Sequence, residues 1–440
     1  MEMKLSSLVK CNREKIPQVF FNGIMAGIMV GLVYFLQQSN PALYVYLIGE
    51  DLWGEYATFS GYFLTFAFLI GAICLDRKLF KFGYILLAVF ALVIAMEEIN
   101  WGQRLFHITT PDFIKPINSQ SEINLHNILS PKNQLTRYFC YGILIWIFII
   151  PAFVTVSRKL KRLAQNWGIP LVPGYLTPYY LTGVIITFYG YPIVKFDEIR
   201  ELFFGVSFGL LGADILFKTF QNTDLKISKR IAGFFLTIVF VGLTSLLVYI
   251  TPKDDHAMKW RYLLTAYYDY PERHLYPQAE KLFSYILESK EYRTPEAVFQ
   301  YGLFLKKINS DKADVILRES LQEQYVLAQQ SPQKSEPNIK AGEILELLGQ
   351  MDNARLEYQK ALDKDMLRLS KAKTDLEKAK AFASLGRTYF KMKSYTLALE
   401  NFQAAQKLEV SKKKGLELKK WIKEAQLKEA GQVKEDGNEK

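Results

Sequence analysis

Two short segments of the 440-residue chain concentrate side chains that move protons or grip polar ligands. The first is Glu97-Glu98-Ile-Asn100-Trp101-Gly-Gln103-Arg104-Leu-Phe-His107, and the second is Asn118-Ser-Gln120-Ser-Glu122-Ile-Asn124-Leu-His126-Asn127. Together they hold two of the four histidines. Adjacent carboxylates in a poor dielectric raise each other's proton affinity, which suits general acid/base work. Glu97, Asn100, Arg104 and His107 follow i, i+3, i+7, i+10 and would share one helix face, with Arg104 partly neutralising Glu97 or Glu98. Asn118, Gln120, Glu122, Asn124 and His126 alternate, so they line one side if extended; if helical, Glu122 and His126 pair at i+4. The candidate catalytic set is therefore Glu97, Glu98, Arg104, Glu122 and His126, expected to converge on one pocket. Trp101, Gln103, His107, Asn118, Gln120, Asn124 and Asn127 are the candidate binding residues. A metal on Glu122, His126, His107 and Glu97 or Glu98 would follow none of the known tight ligand spacings, so no metal ligand is assigned and the cofactor stays unknown. The competing structural role is a re-entrant loop in which these amides and imidazoles satisfy backbone groups at a membrane surface.

The elements that must position these residues are apolar and long. Ile16–Leu36, Tyr56–Leu75, Tyr138–Ser157 and Ile231–Thr251 run 21, 20, 20 and 21 residues without a charge. Such lengths match the ~20 helical residues that cross a bilayer core. Phe82–Met96 is shorter at 15 residues, and Leu202–Phe217 carries one charge, Asp214. Leu163–Val194 is broken by Pro170, Pro173 and Pro178, with its spanning part expected at Tyr175–Val194. Seven spans follow. If the third starts near Lys81, Glu97 lies about 24 Å along it, inside the outer edge of the ~30 Å apolar core. Intramembrane carboxylates are costly and mark functional candidates. Asp214 is expected to pair with a neighbouring helix.

Charge gives the orientation. Fifteen Lys and Arg flank one side of the spans (Lys4 to Lys15, Arg77 to Lys81, Arg158 to Arg162, Lys218 to Arg230) against six in the alternate loops. The positive-inside rule makes the N-terminus cytoplasmic and puts the chain beyond the seventh span on the opposite side. The expected setting is a bacterial cytoplasmic membrane. The bilayer is one partner; the net charge of +11 splits as +6 and +5 about residue 253, so no basic domain argues for nucleic acid. The three cysteines, Cys11, Cys74 and Cys140, lie in or beside the membrane part and build no disulfide framework.

Residues 253–440 hold 34 of the 55 Lys+Arg and 29 of the 44 Asp+Glu, with apolar residues at helical spacing. Leu385, Gly386, Tyr389, Ala398, Phe402 and Ala405 stand at tetratricopeptide spacing, and Ala341, Gly342, Leu345, Ala354, Tyr358 and Ala361 repeat the register. This segment resembles the tetratricopeptide-repeat family. That resemblance implies an α-solenoid whose concave face binds a protein or peptide partner. Weaker copies fall at Ala266 to Ile286 and Tyr301 to Leu317. The predicted fold is all-α: a membrane bundle over 1–252 with a polar loop at 97–135, a repeat domain over 253–430 and a flexible polar tail at 431–440.

The pattern Glu-Glu-x-x-Trp-Gly-Gln-Arg followed by Asn-x-Gln-x-Glu-x-Asn-Leu-His-Asn, carried by residues 97–127, resembles one that recurs in bacterial multispanning membrane proteins and carries no assigned activity. Seven spans with polar residues near one face also resemble, loosely, the alkaline-ceramidase type of intramembrane hydrolase. That group needs three His with Ser and Asp, and only His107 and His126 occur in this membrane part. Phosphate-loop, dinucleotide and nucleophile-elbow motifs are missing. Two functions remain: an envelope protein whose repeats bind or scaffold a partner beside a membrane-embedded polar site, or an intramembrane hydrolase or transferase acting on a lipid or lipid-linked glycan at the outer leaflet.

Overall fold

The computed structural model describes residues 16–49, 53–103, 106, 108, 110–111, 134–221, 229–251, 255–408 and 412–438. Among them every regular element is helical. The chain divides into two compact units, Met1–Leu282 and Phe283–Lys440.

In the first unit, α1 is Ile16–Ser39, α2 Pro41–Ile48, α3 Trp53–Leu75 and α4 Phe82–Glu98. Helix α5, Gln134–Leu144, passes through a π turn at Ile145–Ile149 into α6, Ile150–Val156. Pro151 cannot donate to the preceding turn, and the wider turn absorbs the lost bond. Then follow α7 Arg158–Trp167, α8 Thr177–Tyr189, α9 Phe196–Gln221, α10 Lys229–Ile250 and α11 Asp255–Leu264. Four helical stretches are long and apolar enough to cross a membrane: Ile16–Ser39, Pro41–Leu75, Leu135–Val156 and Phe196–Gln221. Exposed Phe20, Phe35, Phe82, Leu86, Phe148 and Phe153 add an apolar surface that water would not tolerate.

Helices α3 and α9 cross at the centre. Any Cβ on Gly61 would collide with the carbonyl of Gly205, and one on Gly212 would stand 2.9 Å from Thr65 Cα. Small residues let two backbones approach where lipid supplies no hydrophobic drive. Around the crossing lies an aromatic core in which Phe208 touches Tyr62, Phe90, Trp146 and Tyr180.

The fifth predicted span, Tyr175–Val194, is shorter as a helix than expected. Helix α8 has 13 residues, about 20 Å, which cannot cross the core alone. The missing length is non-helical chain after Gly168, whose φ of 65° ends α7. Its carbonyls find donors on neighbouring helices: Trp146 Nε1 donates to Pro170 O at 2.8 Å and Asn22 Nδ2 to Tyr175 O at 2.5 Å. Irregular backbone at membrane depth persists only when satisfied in this way. Asp214 does pair with neighbours, accepting from the Tyr175 hydroxyl and, at 2.6 Å, from Lys218 Nζ.

Residues after the last apolar helix return to the end of the bundle where α1 finishes and α9 begins. Gln37 is fully buried and clamps the turn before α9, donating to Pro192 O at 3.1 Å and accepting from Val194 N at 2.7 Å. Arg273 Nε donates to Tyr191 O at 3.0 Å, and Lys281 Nζ to Gln38 O at 3.1 Å.

Helix α12, Tyr276–Glu288, contains the boundary between units. The second unit continues with α13 Pro295–Lys307, α14 Ala313–Gln330, α15 Glu336–Leu347, α16 Met351–Lys371, α17 Asp375–Lys391, α18 Tyr395–Leu408 and α19 Lys412–Asn438. Three hairpins use one packing rule. A glycine on the first helix meets a large side chain on the second: Gly302 with Leu317, Gly342 with Tyr358, Gly386 with Phe402. Trp421 of α19 stacks on Phe402 and closes the last hairpin.

Candidate functional site

Helix α4 starts at Phe82, so Glu97 and Glu98 do fall in its last turn. Its end differs from the expected continuous helix. Asn100, Trp101 and Gly102 have φ of 49°, 55° and 74°, so the chain reverses hand directly after the carboxylates. Helix α4 therefore ends at Glu98 and does not carry Asn100 on one continuous face with Glu97. The reversal folds Trp101 back, and its Nε1 donates to Glu97 Oε1 at 2.6 Å. Gln103 Nε2 donates to Thr110 Oγ1 at 2.7 Å, and Ile108 N to Gln103 O at 2.8 Å, which ties the following turn. Glu97, Trp101 and Gln103 are thus placed by short-range bonds. Arg104, His107, Asn118, Gln120, Glu122, Asn124, His126 and Asn127 lie outside the described residues.

Among the described residues, a cation within electrostatic reach of Glu98 comes from an element that the sequence pattern did not single out. Glu98 lies in electrostatic reach of Glu201, Glu198, Arg200 and Glu97. Arg200 is 5% exposed, and its guanidinium is held by Asp197 and Glu201. Asp197-Glu198-Ile-Arg200-Glu201 forms the first turns of α9, where carboxylates suit the positive end of the helix dipole. Counted as loop charges, these residues look like mere solvation. The missed signal is the helical i, i+3 spacing running without a break into the apolar part of α9. Tyr62 of α3 lies within electrostatic reach of Glu98, Glu201 and Arg200. Carboxylates and a guanidinium gathered in this way, away from bulk water, can hold or pass on a proton. Among the described residues no group of three or more His, Cys, Asp or Glu is arranged to hold a metal ion.

The second unit carries a separate cavity of about 500 Å³, built wholly from the first helices of its hairpins and α19. Phe299 and Leu303 come from α13, Ile339, Lys340 and Glu343 from α15, Arg387 and Lys391 from α17, and Trp421 from α19. Its charges are cross-linked between helices. Lys391 Nζ lies 2.8 Å from Glu343, Arg387 3.6 Å from Glu336, and Lys340 3.6 Å from Glu296. Lys340 Nζ also stands 4.3 Å above the Phe299 ring. The result is a groove with apolar floor residues and exchangeable ion pairs at its walls, a combination suited to an extended polypeptide. No protein-family model, curated protein or solved structure matches the chain.

Proposed function

We propose that this is a seven-span protein of a bacterial cytoplasmic membrane, with its N-terminus inside and a tetratricopeptide-like solenoid outside. The solenoid binds a protein or peptide partner in its groove, beside a membrane-embedded polar site on α4 and α9. The observation that carries this reading is the groove, where aromatic rings and three cations from successive hairpins line one cavity. Charged partner side chains would exchange with these half-buried cross-helix ion pairs, keeping each wall charge compensated.

The intramembrane-enzyme alternative draws its support from the grouping of Glu98, Glu198, Glu201 and Arg200, since carboxylates beside a guanidinium suit acid/base work on a lipid-linked substrate. One experiment addresses both. A photo-crosslinking residue at Ile339, inside the groove, should yield a discrete adduct in intact cells, and one at Leu356, on the exposed side of α16, should not. The double variant Lys340→Glu, Lys391→Glu should lose the adduct. Under the enzyme alternative that variant keeps the cellular role of the protein, and Glu98→Gln loses it at unchanged protein level.

A further inference from the structure

We propose that the basic end of the membrane unit holds one anionic phospholipid, with an acyl chain in an apolar cavity beside α4 and α5 and its phosphate against Lys81 and Lys161. The inference needs only that the first unit is embedded in a bilayer, and it stands whether or not the solenoid binds a partner.

Two cavities meet at the non-helical chain after α7. One, of about 580 Å³, is lined by Phe82, Leu86, Phe90, Phe139, Trp146 and Trp167 among others and presents almost no polar surface. The other, of about 560 Å³, is lined by Lys81, Lys161, Gln165 and Lys218 with Asp76 and Asp214. Ile169 and Pro170 line both, so a single wall separates them. A molecule with an apolar chain and a charged head can occupy the two together. That amphiphile is what surrounds this end of the bundle.

The sign of the head follows from the charges. Asp214 is already neutralised by Lys218 at 2.6 Å. Lys81 Nζ spends one hydrogen on a neutral acceptor, Gln165 O at 2.5 Å, so its charge stays uncompensated there. Lys161 is exposed on α7. Asp76 is the remaining anion, and it caps the turn at Lys78 N. Helix α7 adds the placement. It carries Arg158, Lys159, Lys161 and Arg162, and Leu160, Leu163 and Trp167 are exposed along one face. Such a helix lies in the membrane interface, and a cluster of this size attracts anionic headgroups. Trp167 enters the apolar cavity while Lys161 and Gln165 enter the polar one, so α7 itself spans the headgroup boundary.

The apolar cavity can be filled without disturbing the fold. A Cβ at Gly142 would meet nothing within 4 Å, although Gly142 lines the cavity. Gly142→Phe therefore puts a ring where the chain would lie, and Lys161→Glu reverses one charge at the head. The test uses full-length protein purified in a neutral mild detergent, with native mass spectrometry after addition of dioleoylphosphatidylglycerol, dioleoylphosphatidylcholine or inorganic phosphate. The wild type should retain phosphatidylglycerol in preference to phosphatidylcholine. Lys161→Glu should cut that preference at least about fivefold, the effect of one basic residue near an anionic surface. Gly142→Phe should reduce retention of phosphatidylglycerol at unchanged circular dichroism; should it misfold, Lys161→Glu still decides. Equal retention of both lipids by the wild type, or unchanged retention in a folded Gly142→Phe, would overturn the proposal. So would displacement of the lipid by inorganic phosphate, which would reassign the lysines to a free anion.

Discussion

Asp365 has a side chain with no exposed surface, on α16, with Arg368 at 3.3 Å and Arg387 within electrostatic reach. Burial raises the proton affinity of its carboxyl above the ordinary aspartate range. The sign of the consequence is fixed by linkage: a carboxyl that binds its proton more tightly when folded costs stability above that range and returns it as pH falls through it. Asp365→Asn should therefore raise the thermal midpoint of the second unit at about pH 7, and the gain over wild type should vanish by about pH 4. A gain independent of pH would refute the titration argument. Legibility at this scale depended on neighbours in sequence. Glu97 and Glu98 are visible as adjacent charges closing an apolar run. Arg200 is less visible: its i, i+3 spacing with Asp197 marks a helix start, but only the fold brings Glu98 within its electrostatic reach. Of the three left-handed residues, Asn100 and Gly102 are types that favour that region, whereas nothing in residue type announces Trp101.

At the scale of elements, uncharged length was the reliable guide. Each of the seven apolar runs contains a helix, and the weakest prediction fell on the run with three prolines. Pro170, Pro173 and Pro178 announce a break, but the donors that make the break tolerable, Asn22 and Trp146, sit far away in sequence. The α3–α9 crossing was equally illegible, since Gly61, Gly205 and Gly212 read as ordinary small residues until the two helices are brought together. Their role is strict. A side chain at Gly61 has the Gly205 carbonyl directly in its path, and backbone cannot step aside as a flexible side chain can. Gly61→Val should destabilise the first unit by about 1–3 kcal/mol or more through overpacking. The accumulated protein in membranes should fall accordingly. Gly23→Val on α1, where a Cβ meets nothing within 4 Å, should accumulate normally. If both variants accumulate equally, close helix approach is not what holds this crossing.

For the whole molecule the deciding property is which side of the membrane each end faces. The composition break at residue 253 separates apolar from polar chain, yet the compact first unit continues to Leu282, because Arg273, Gln278 and Lys281 bind Tyr191 and Gln38. Those contacts carry the topological argument. Gln37 and Gln38 end α1, and Tyr191 precedes α9, so the chain leaves the first unit at that end of the bundle. The opposite end holds Lys81, Lys161 and Lys218, where α4 begins and α9 finishes. Charge bias assigns the lysine-rich end to the cytoplasm. On the proposed orientation the chain at Lys281 would lie outside, which would require an odd number of crossings between Ile16 and Ile250, as in the seven proposed. Dropping the proline-broken fifth span, whose helix α8 has 13 residues, would make the number even. A reporter enzyme active only outside the cytoplasm, fused after Lys440, should be active. The same reporter fused within the basic linker after Gln221 should be inactive. Activity at the linker fusion and none at Lys440 would invert the orientation; inactivity at both would remove one crossing and return the solenoid to the cytoplasm.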